Sequence, residues 1–242
     1  MAMLPELDNR HALFLDLDGT LLDLAATPDE VQVPAGLSEL LRNLASQHGQ
    51  ALAILSGRRL DDIDQLTRAS FPAGAEHGVI RRDADSTIHT LSTTSANRSQ
   101  WRAVLEAYAR EWPGTLIETK QHGLVAHYRR NPAAAPVFER VIRDLLIEKH
   151  DAELLPAHMA WEIRPRGANK GAALKWFMRR PPFIGRIPVF VGDDVTDQVA
   201  IDTARDLGGI GLHAVKDFGD AHGGPKAVRS WLRRSLARDN AA

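Results

Sequence analysis

Twice in this 242-residue chain a short, nearly uncharged apolar run stops abruptly at a cluster of acids. Ala12-Leu13-Phe14-Leu15 runs into Asp16-Leu17-Asp18-Gly19-Thr20, and Ile187-Pro188-Val189-Phe190-Val191 runs into Gly192-Asp193-Asp194-Val195-Thr196-Asp197. Runs of this kind read as strands covered on both faces, which means an α/β protein with a parallel sheet between helical layers. In an open parallel sheet the carboxyl ends of the strands border the ligand crevice, so two acid-tipped strands bring several negative charges into one pocket. Like charges at close range repel and stay ionised together only around a cation. A set of oxygen ligands with open positions suits Mg2+ better than zinc or copper.

A third apolar run, Ala51-Leu52-Ala53-Ile54-Leu55, ends in Ser56-Gly57-Arg58. A helical pattern over Leu37 to Ala45 precedes it, with Gly49 placed to stop the helix. Another helical stretch follows Arg59, so the first part of the chain reads as a right-handed βαβ unit. Residues 76–90 suggest a hairpin around Asp83-Ala84-Asp85, and Ala227 to Leu236 a helix that packs back on the core.

Between about residues 93 and 167 the pattern changes to αββαββ. It predicts a helix over Trp101 to Trp112, two strands around His122-Gly123, a helix over Val137 to His150, and two strands ending at Pro165. Such a unit makes a small antiparallel sheet with both helices on one face. Glu118 and Lys120 then share a face, as do His127 and Arg129, and Glu162 and Arg164, since side chains two apart in a strand point the same way. That face is either solvated surface or a wall that grips a molecule with several hydroxyls.

The composition narrows the partners. A net charge of −1 offers no general attraction to nucleic acid or anionic lipid. No apolar stretch approaches the roughly 20 residues of a bilayer span, and the N-terminus lacks the pattern of a secretory signal. The chain contains no cysteine, which excludes disulfides and thiolate metal sites. A cytoplasmic, soluble protein is the expectation.

The motifs carry a specific chemistry. Asp16 and Asp18 lie two apart, so both reach one pocket: one carboxylate can attack phosphorus while the other protonates the leaving oxygen and later activates water. Phosphoryl transfer further needs a metal, a hydroxyl or amide donor and a lysine around the transferred group. Ser56, followed by Gly57, and Lys170, at the start of a helix over Gly171 to Met178, suit those places. Any of these motifs alone could be a strand end or a turn; in this order they make a coherent set.

The set resembles the haloacid dehalogenase superfamily of phosphatases and, more closely, the trehalose-6-phosphate phosphatase family. The closer resemblance is carried by Leu-Ser-Gly-Arg (55–58), Glu-His-Gly (76–78), Glu-Thr-Lys (118–120), His-Tyr-Arg (127–129), Trp-Glu-Ile-Arg-Pro (161–165), Asn-Lys-Gly (169–171) and Gly-Asp-Asp-Val-Thr-Asp (192–197). It implies a Rossmann-like core of residues 1–92 and 168–242, with a mobile α/β cap over 93–167 that selects the substrate. By the same resemblance Asp16 is the nucleophile and Asp18 the general acid and base. The Asp16 carboxylate, the Asp18 backbone carbonyl and Asp193 hold Mg2+, while Ser56 and Lys170 hold the phosphoryl group. Asp194 and Asp197 orient Lys170 and metal-bound water. Glu118, Lys120, Arg129 and Glu162 grip sugar hydroxyls, with Gly57, Arg58 and His77 completing the core side of the site.

Two positions depart from the family pattern: Gln198 stands where an acid usually continues the last motif, and Gln121 where a glycine commonly follows the cap lysine. The implied reaction is Mg2+-dependent hydrolysis of trehalose 6-phosphate through an aspartyl phosphate, with a trehalose-6-phosphate synthase as a candidate partner. Two alternatives remain open on sequence: a phosphatase for sucrose phosphate or a glucosylglycerate phosphate, and a non-catalytic module that senses sugar phosphate.

Overall fold

The computed structural model describes residues 4–25, 30–91, 95–120, 122–147, 151–157, 159–219 and 223–239. It divides into two compact units, residues 1–89 with 169–242, and residues 90–168.

The first unit begins with β1 (His11–Leu15), α1 (Leu37–Gln47), β2 (Leu52–Leu55), α2 (Leu60–Thr67), β3 (Ala73–Ala75), β4 (Ile80–Arg82) and β5 (Ile88–Thr90). The second contains α3 (Ser95–Glu111), β6 (Leu116–Thr119), β7 (Leu124–His127), α4 (Ala135–Leu146), β8 (Ala152–Ala157) and β9 (Ala160–Pro165). The chain then completes the first unit with α5 (Lys170–Phe177), β10 (Ile187–Gly192), α6 (Gln198–Asp206), β11 (Ile210–His213) and α7 (Pro225–Asp239).

The large sheet has the order β11-β10-β1-β2-β3-β4-β5. From β11 to β3 every pairing is parallel, and β4 runs antiparallel to β3. Its central strands are uniformly apolar because both faces are covered. Leu13, Leu15, Leu52, Ile54, Val189 and Val191 pack with α1, α2 and α7, while Ala12, Phe14, Ala53, Leu55 and Phe190 pack with α5 and α6. The alternation of odd and even positions along β1 is the two-residue period of a strand, read here by two different helical layers.

β1 lies between β10 and β2, with Leu15 opposite Val191 on one side and Ile54 on the other. The residues that follow each strand therefore emerge together at one edge, and these are Asp16, Ser56 and Asp193. The order of the strands, not their proximity in sequence, brings them there.

The second unit is the expected αββαββ, with a four-stranded antiparallel sheet in the order β6-β7-β9-β8. Leu124, Ala126, Ala152 and Ile163 form its buried face with Trp101 and Leu105 of α3 and Phe138, Val141 and Ile142 of α4. The helix α3 starts at Ser95, earlier than the predicted Trp101, because residues 95–100 lack the apolar spacing that marks a buried helical face. Gln121, the end of the predicted second helix at residues 148–150, and the junction at residues 92–94 lie outside the described residues.

Candidate active site

β1 delivers Asp16 into a buried position, and the turn after it is held by its own backbone. The amides of Thr20, Leu21 and Leu22 all donate to the Leu17 carbonyl, and the Gly19 amide donates to Leu22. Gly19 is indispensable to that turn. Its φ is +77°, and a side chain there would lie 2.0 Å from Oδ2 of Asp193.

Asp16, Asp193 and Asp197 each present a carboxylate oxygen within 4.8 Å of the others. Lys170, the first residue of α5, donates to Oδ1 of Asp16 at 2.7 Å and to Oδ1 of Asp197 at 2.6 Å. The helix start that presents it is capped by Asn169, whose side chain accepts the Ala172 amide at 2.8 Å. Thr20 Oγ1 lies 3.3 Å from Oδ2 of Asp16 and 3.1 Å from Oδ1 of Asp193. With a single hydroxyl proton it bridges the two acids but donates to one at a time.

The electrostatics follow from one lysine serving three acids. Burial pushes the Asp16 carboxyl up to about 8, against the attraction of Lys170, and burial likewise raises Asp193 and Asp197. Burial also works against the charge on Lys170, but Asp16 and Asp197 outweigh it and hold its pKa above the ordinary value. The two sides of this ion pair thus move in opposite senses: the lysine stays charged, while the acids are short of positive charge. All ionised, the cluster carries two negative charges more than Lys170 cancels, the deficit a divalent cation makes good.

Of the three acids, Asp197 is already committed. Its Oδ1 takes Lys170, and its Oδ2 accepts the amides of Asp193 at 3.0 Å and Asp194 at 3.2 Å. All three acids form the cluster that could hold a metal, Asp197 with both of its oxygens already bonded within the protein. Asp194 serves its own loop: its Oδ1 accepts the amide and hydroxyl of Thr196 and the amide of Asp197. Burial alone would raise its pKa, but these bonds hold it below the ordinary value. Gln198 turns away from the cluster and donates to Asp202 on its own helix at 2.9 Å.

Asp18 is placed differently from Asp16. Both its oxygens are taken by Arg58, from Nε and Nη2 at 2.7 Å each. Ser56 is buried at the end of β2, and its Oγ accepts the Arg58 amide at 3.2 Å. The amides of His77 and Glu76 donate back to the carbonyls of Ser56 and Arg58. Glu76 and His77 both adopt positive φ, 49° and 57°, a strained pair of a kind found at functional sites. This turn lays the His77 ring so close over Gly57 that a side chain there would meet it at 2.6 Å.

In the second unit the sheet face opposite the two helices carries Glu118 and Glu162 on either side of the buried Val125. Glu118, Val125, Glu162 and Leu155 are in register across the four strands. Glu118 Oε2 accepts from His127 Nε2 at 2.7 Å, and Lys120 lies 3.5 Å from Glu162. Arg129 follows β7 in a turn. Glu118, His127 and Glu162 thus share one face of the small sheet, whereas Asp16 and Asp193 gather at the carboxyl edge of the large one, where Lys170 meets Asp16 and Asp197.

Sequence reasoning missed two features. Thr20 figured in the sequence only as the last residue of the first acid cluster, although a hydroxyl just after an acid pair can bridge two carboxylates. The pairing of Arg58 with Asp18 joins residues 40 positions apart and has no local signature.

A parallel sheet with neighbouring acid-tipped strands, a serine-tipped strand beside them and a buried lysine at a helix start is the arrangement that the resemblance to phosphatases of the haloacid dehalogenase type implies. The family model described as trehalose-phosphatase matches residues 14–227. A probable trehalose-phosphate phosphatase of Sinorhizobium fredii is 43% identical over 213 residues, 87% of this chain and 80% of that protein. The trehalose-6-phosphate phosphatase of Escherichia coli is 35% identical over 233 residues, 94% and 87% of the two chains. The fold also resembles that of the Aspergillus fumigatus trehalose-6-phosphate phosphatase, with a TM-score of 0.75, 24% identity, and coverage of 97% of this chain and 99% of the other. The chain belongs to the trehalose-phosphatase family. It is therefore a phosphoric monoester hydrolase that acts on a sugar phosphate, and among the described residues no helix is long and apolar enough to cross a membrane.

Proposed function

We propose that the protein hydrolyses trehalose 6-phosphate to trehalose and phosphate through a phosphorylated Asp16, with Mg2+ held by Asp16 and Asp193. The observation that carries this reading is the position of Asp16: buried at the tip of β1, against Lys170 and beside Asp193, in a member of the trehalose-phosphatase family.

The residues fit a divalent cation through their excess negative charge and all-oxygen donors. When bound, Mg2+ would neutralise charge on the phosphoryl oxygens. Asp16 keeps one oxygen on Lys170, and Oδ2 is the oxygen that attacks phosphorus. The bond from phosphorus to the sugar oxygen breaks, and Asp18 delivers a proton to that oxygen. Water then attacks the same phosphorus, Asp18 accepts its proton, and phosphate leaves as the Asp16 carboxylate is restored. Ser56 and the positive end of α5 support the transferred group. Because Arg58 occupies both oxygens of Asp18, Asp18 reaches the leaving oxygen only after that pairing opens. The substrate is the natural competitor for Arg58, in keeping with its proposed role in binding, with Gly57 and His77 beside it.

Phosphate release from trehalose 6-phosphate tests the reading. EDTA should abolish it, and Mg2+ in excess of the chelator should restore it; full activity in EDTA would overturn the metal assignment. A panel of sugar phosphates that shows strong preference for another member would overturn the substrate assignment.

The second unit, residues 93–167 in this reading, selects the substrate, with Glu118, Lys120, Arg129 and Glu162 binding sugar hydroxyls. Loss of a charged hydrogen-bond partner costs about 1.5–3 kcal/mol. Glu118→Ala and Glu162→Ala should therefore lower kcat/KM for trehalose 6-phosphate about ten- to a hundred-fold. Hydrolysis of p-nitrophenyl phosphate, which has no sugar, should change less than about three-fold. Equal losses on both substrates would contradict the division of labour. The reading carries with it a cytoplasmic location and a trehalose-6-phosphate synthase as supplier of the substrate.

A further inference from the structure

α7 sends a charged side chain into the interior. Arg229 is buried, and its Nη1 donates a 2.6 Å hydrogen bond to the Leu21 carbonyl. Its Nη2 lies 3.6 Å from Asp23, which is largely exposed and so a weak counter-charge. A buried guanidinium needs good acceptors, and the Leu21 carbonyl supplies one through a short bond.

That carbonyl belongs to the turn after β1. The turn's amides are bonded internally to Leu17 and Leu22, whereas the Leu21 carbonyl ties it to a helix 208 residues away in sequence. The preceding residue is Thr20, whose hydroxyl touches both Asp16 and Asp193. A continuous chain of contacts therefore runs from the guanidinium through the turn and the hydroxyl to the two acids. Arg229 lies beyond the last residue of the family match, at 227, so no motif points to it.

We propose that Arg229 is a positioning residue that fixes the spacing of the Asp16 and Asp193 carboxylates and thereby sets the affinity of the site for a divalent cation. The inference rests on the reading of these two acids as the metal's holders. Groups that orient ligands without touching the metal typically matter about ten- to a hundred-fold in affinity.

The test is a thermal-shift titration of the full chain with MgCl2, without substrate. In the wild type the unfolding temperature should rise with Mg2+. Arg229→Met should move the half-effective Mg2+ concentration up by about ten-fold or more. Arg229→Lys, which keeps a donor and a charge, should move it less, and carries the test alone if the methionine variant does not fold. Trp231→Phe is the structural control. Trp231 lies on the same helix as Arg229; the substitution removes its 3.0 Å bond from Nε1 to the Pro5 carbonyl and should lower the metal-free unfolding temperature without moving the Mg2+ midpoint. Arginine variants with the wild-type midpoint would overturn the proposal, as would an equal shift in Trp231→Phe, which would make the effect one of general destabilisation. A wild type that shows no response to Mg2+ would instead overturn the metal reading, and this inference with it.

Discussion

Asp16→Asn is expected to lower turnover of trehalose 6-phosphate by at least about ten-thousand-fold, the scale seen when a covalent nucleophile is removed. The amide keeps the size of the carboxyl, and its oxygen can still accept from Lys170, so the surroundings of β1 survive. What is lost is the charge and with it the nucleophile. The substitution also removes one of three acids that share a single lysine, which relieves like-charge repulsion at a buried site. The variant should consequently unfold at or above the wild-type temperature in metal-free buffer and lose much of its response to Mg2+. Phosphate-release assays and thermal unfolding, run on the same preparation, check both halves. Substantial activity in a folded Asn variant would remove Asp16 from the chemistry.

Lys170→Met should affect folding and catalysis together. Asp16 and Asp197 are both buried, and each has one oxygen on the lysine. Breaking a buried ion pair by removing one partner typically costs about 3–5 kcal/mol, because the remaining charge is left uncompensated. At about 2–4 °C per kcal/mol for a chain of this size, the unfolding temperature should fall by roughly 6–20 °C. Turnover should fall as well, since the phosphoryl group loses its one buried cation from the protein in this cluster. A second substitution separates the effects. Asp197→Asn added to Lys170→Met removes one of the stranded acids, so it should restore part of the stability and none of the activity. Urea denaturation in metal-free buffer measures the first, and phosphate release the second. Undiminished stability in Lys170→Met would mean that the buried cluster is not ionised as described.

The carboxyl edge of the large sheet is legible in the sequence because its logic is local. An uncharged run such as Ala12–Leu15 has to be a doubly covered strand, and the residue after such a strand has to emerge at the sheet edge. Asp16, Ser56 and Asp193 follow from that rule, and Lys170 from its place at a helix start. The polar row of Glu118 and Glu162 follows equally from two-residue alternation, which the pairing of both with Val125 bears out. The links across the chain were not legible. Nothing in Ser-Gly-Arg reveals that Arg58 closes on Asp18, and nothing in α7 reveals that Arg229 reaches Leu21. Such contacts depend on how helices seat against the sheet, and sequence periodicity specifies the buried face of a helix without specifying its rotation or register. The start of α3 was missed for a related reason: helices extend beyond the part of them that is buried, and the extension carries no apolar period.

Chemical trapping tests the central claim most directly. Wild-type protein mixed with trehalose 6-phosphate and Mg2+ and quenched in acid during turnover should carry a phosphoryl group on the peptide containing Asp16, and mass spectrometry should locate it on that side chain. Phosphate released rapidly with no trapped group, or a group found on any other residue, would contradict the account.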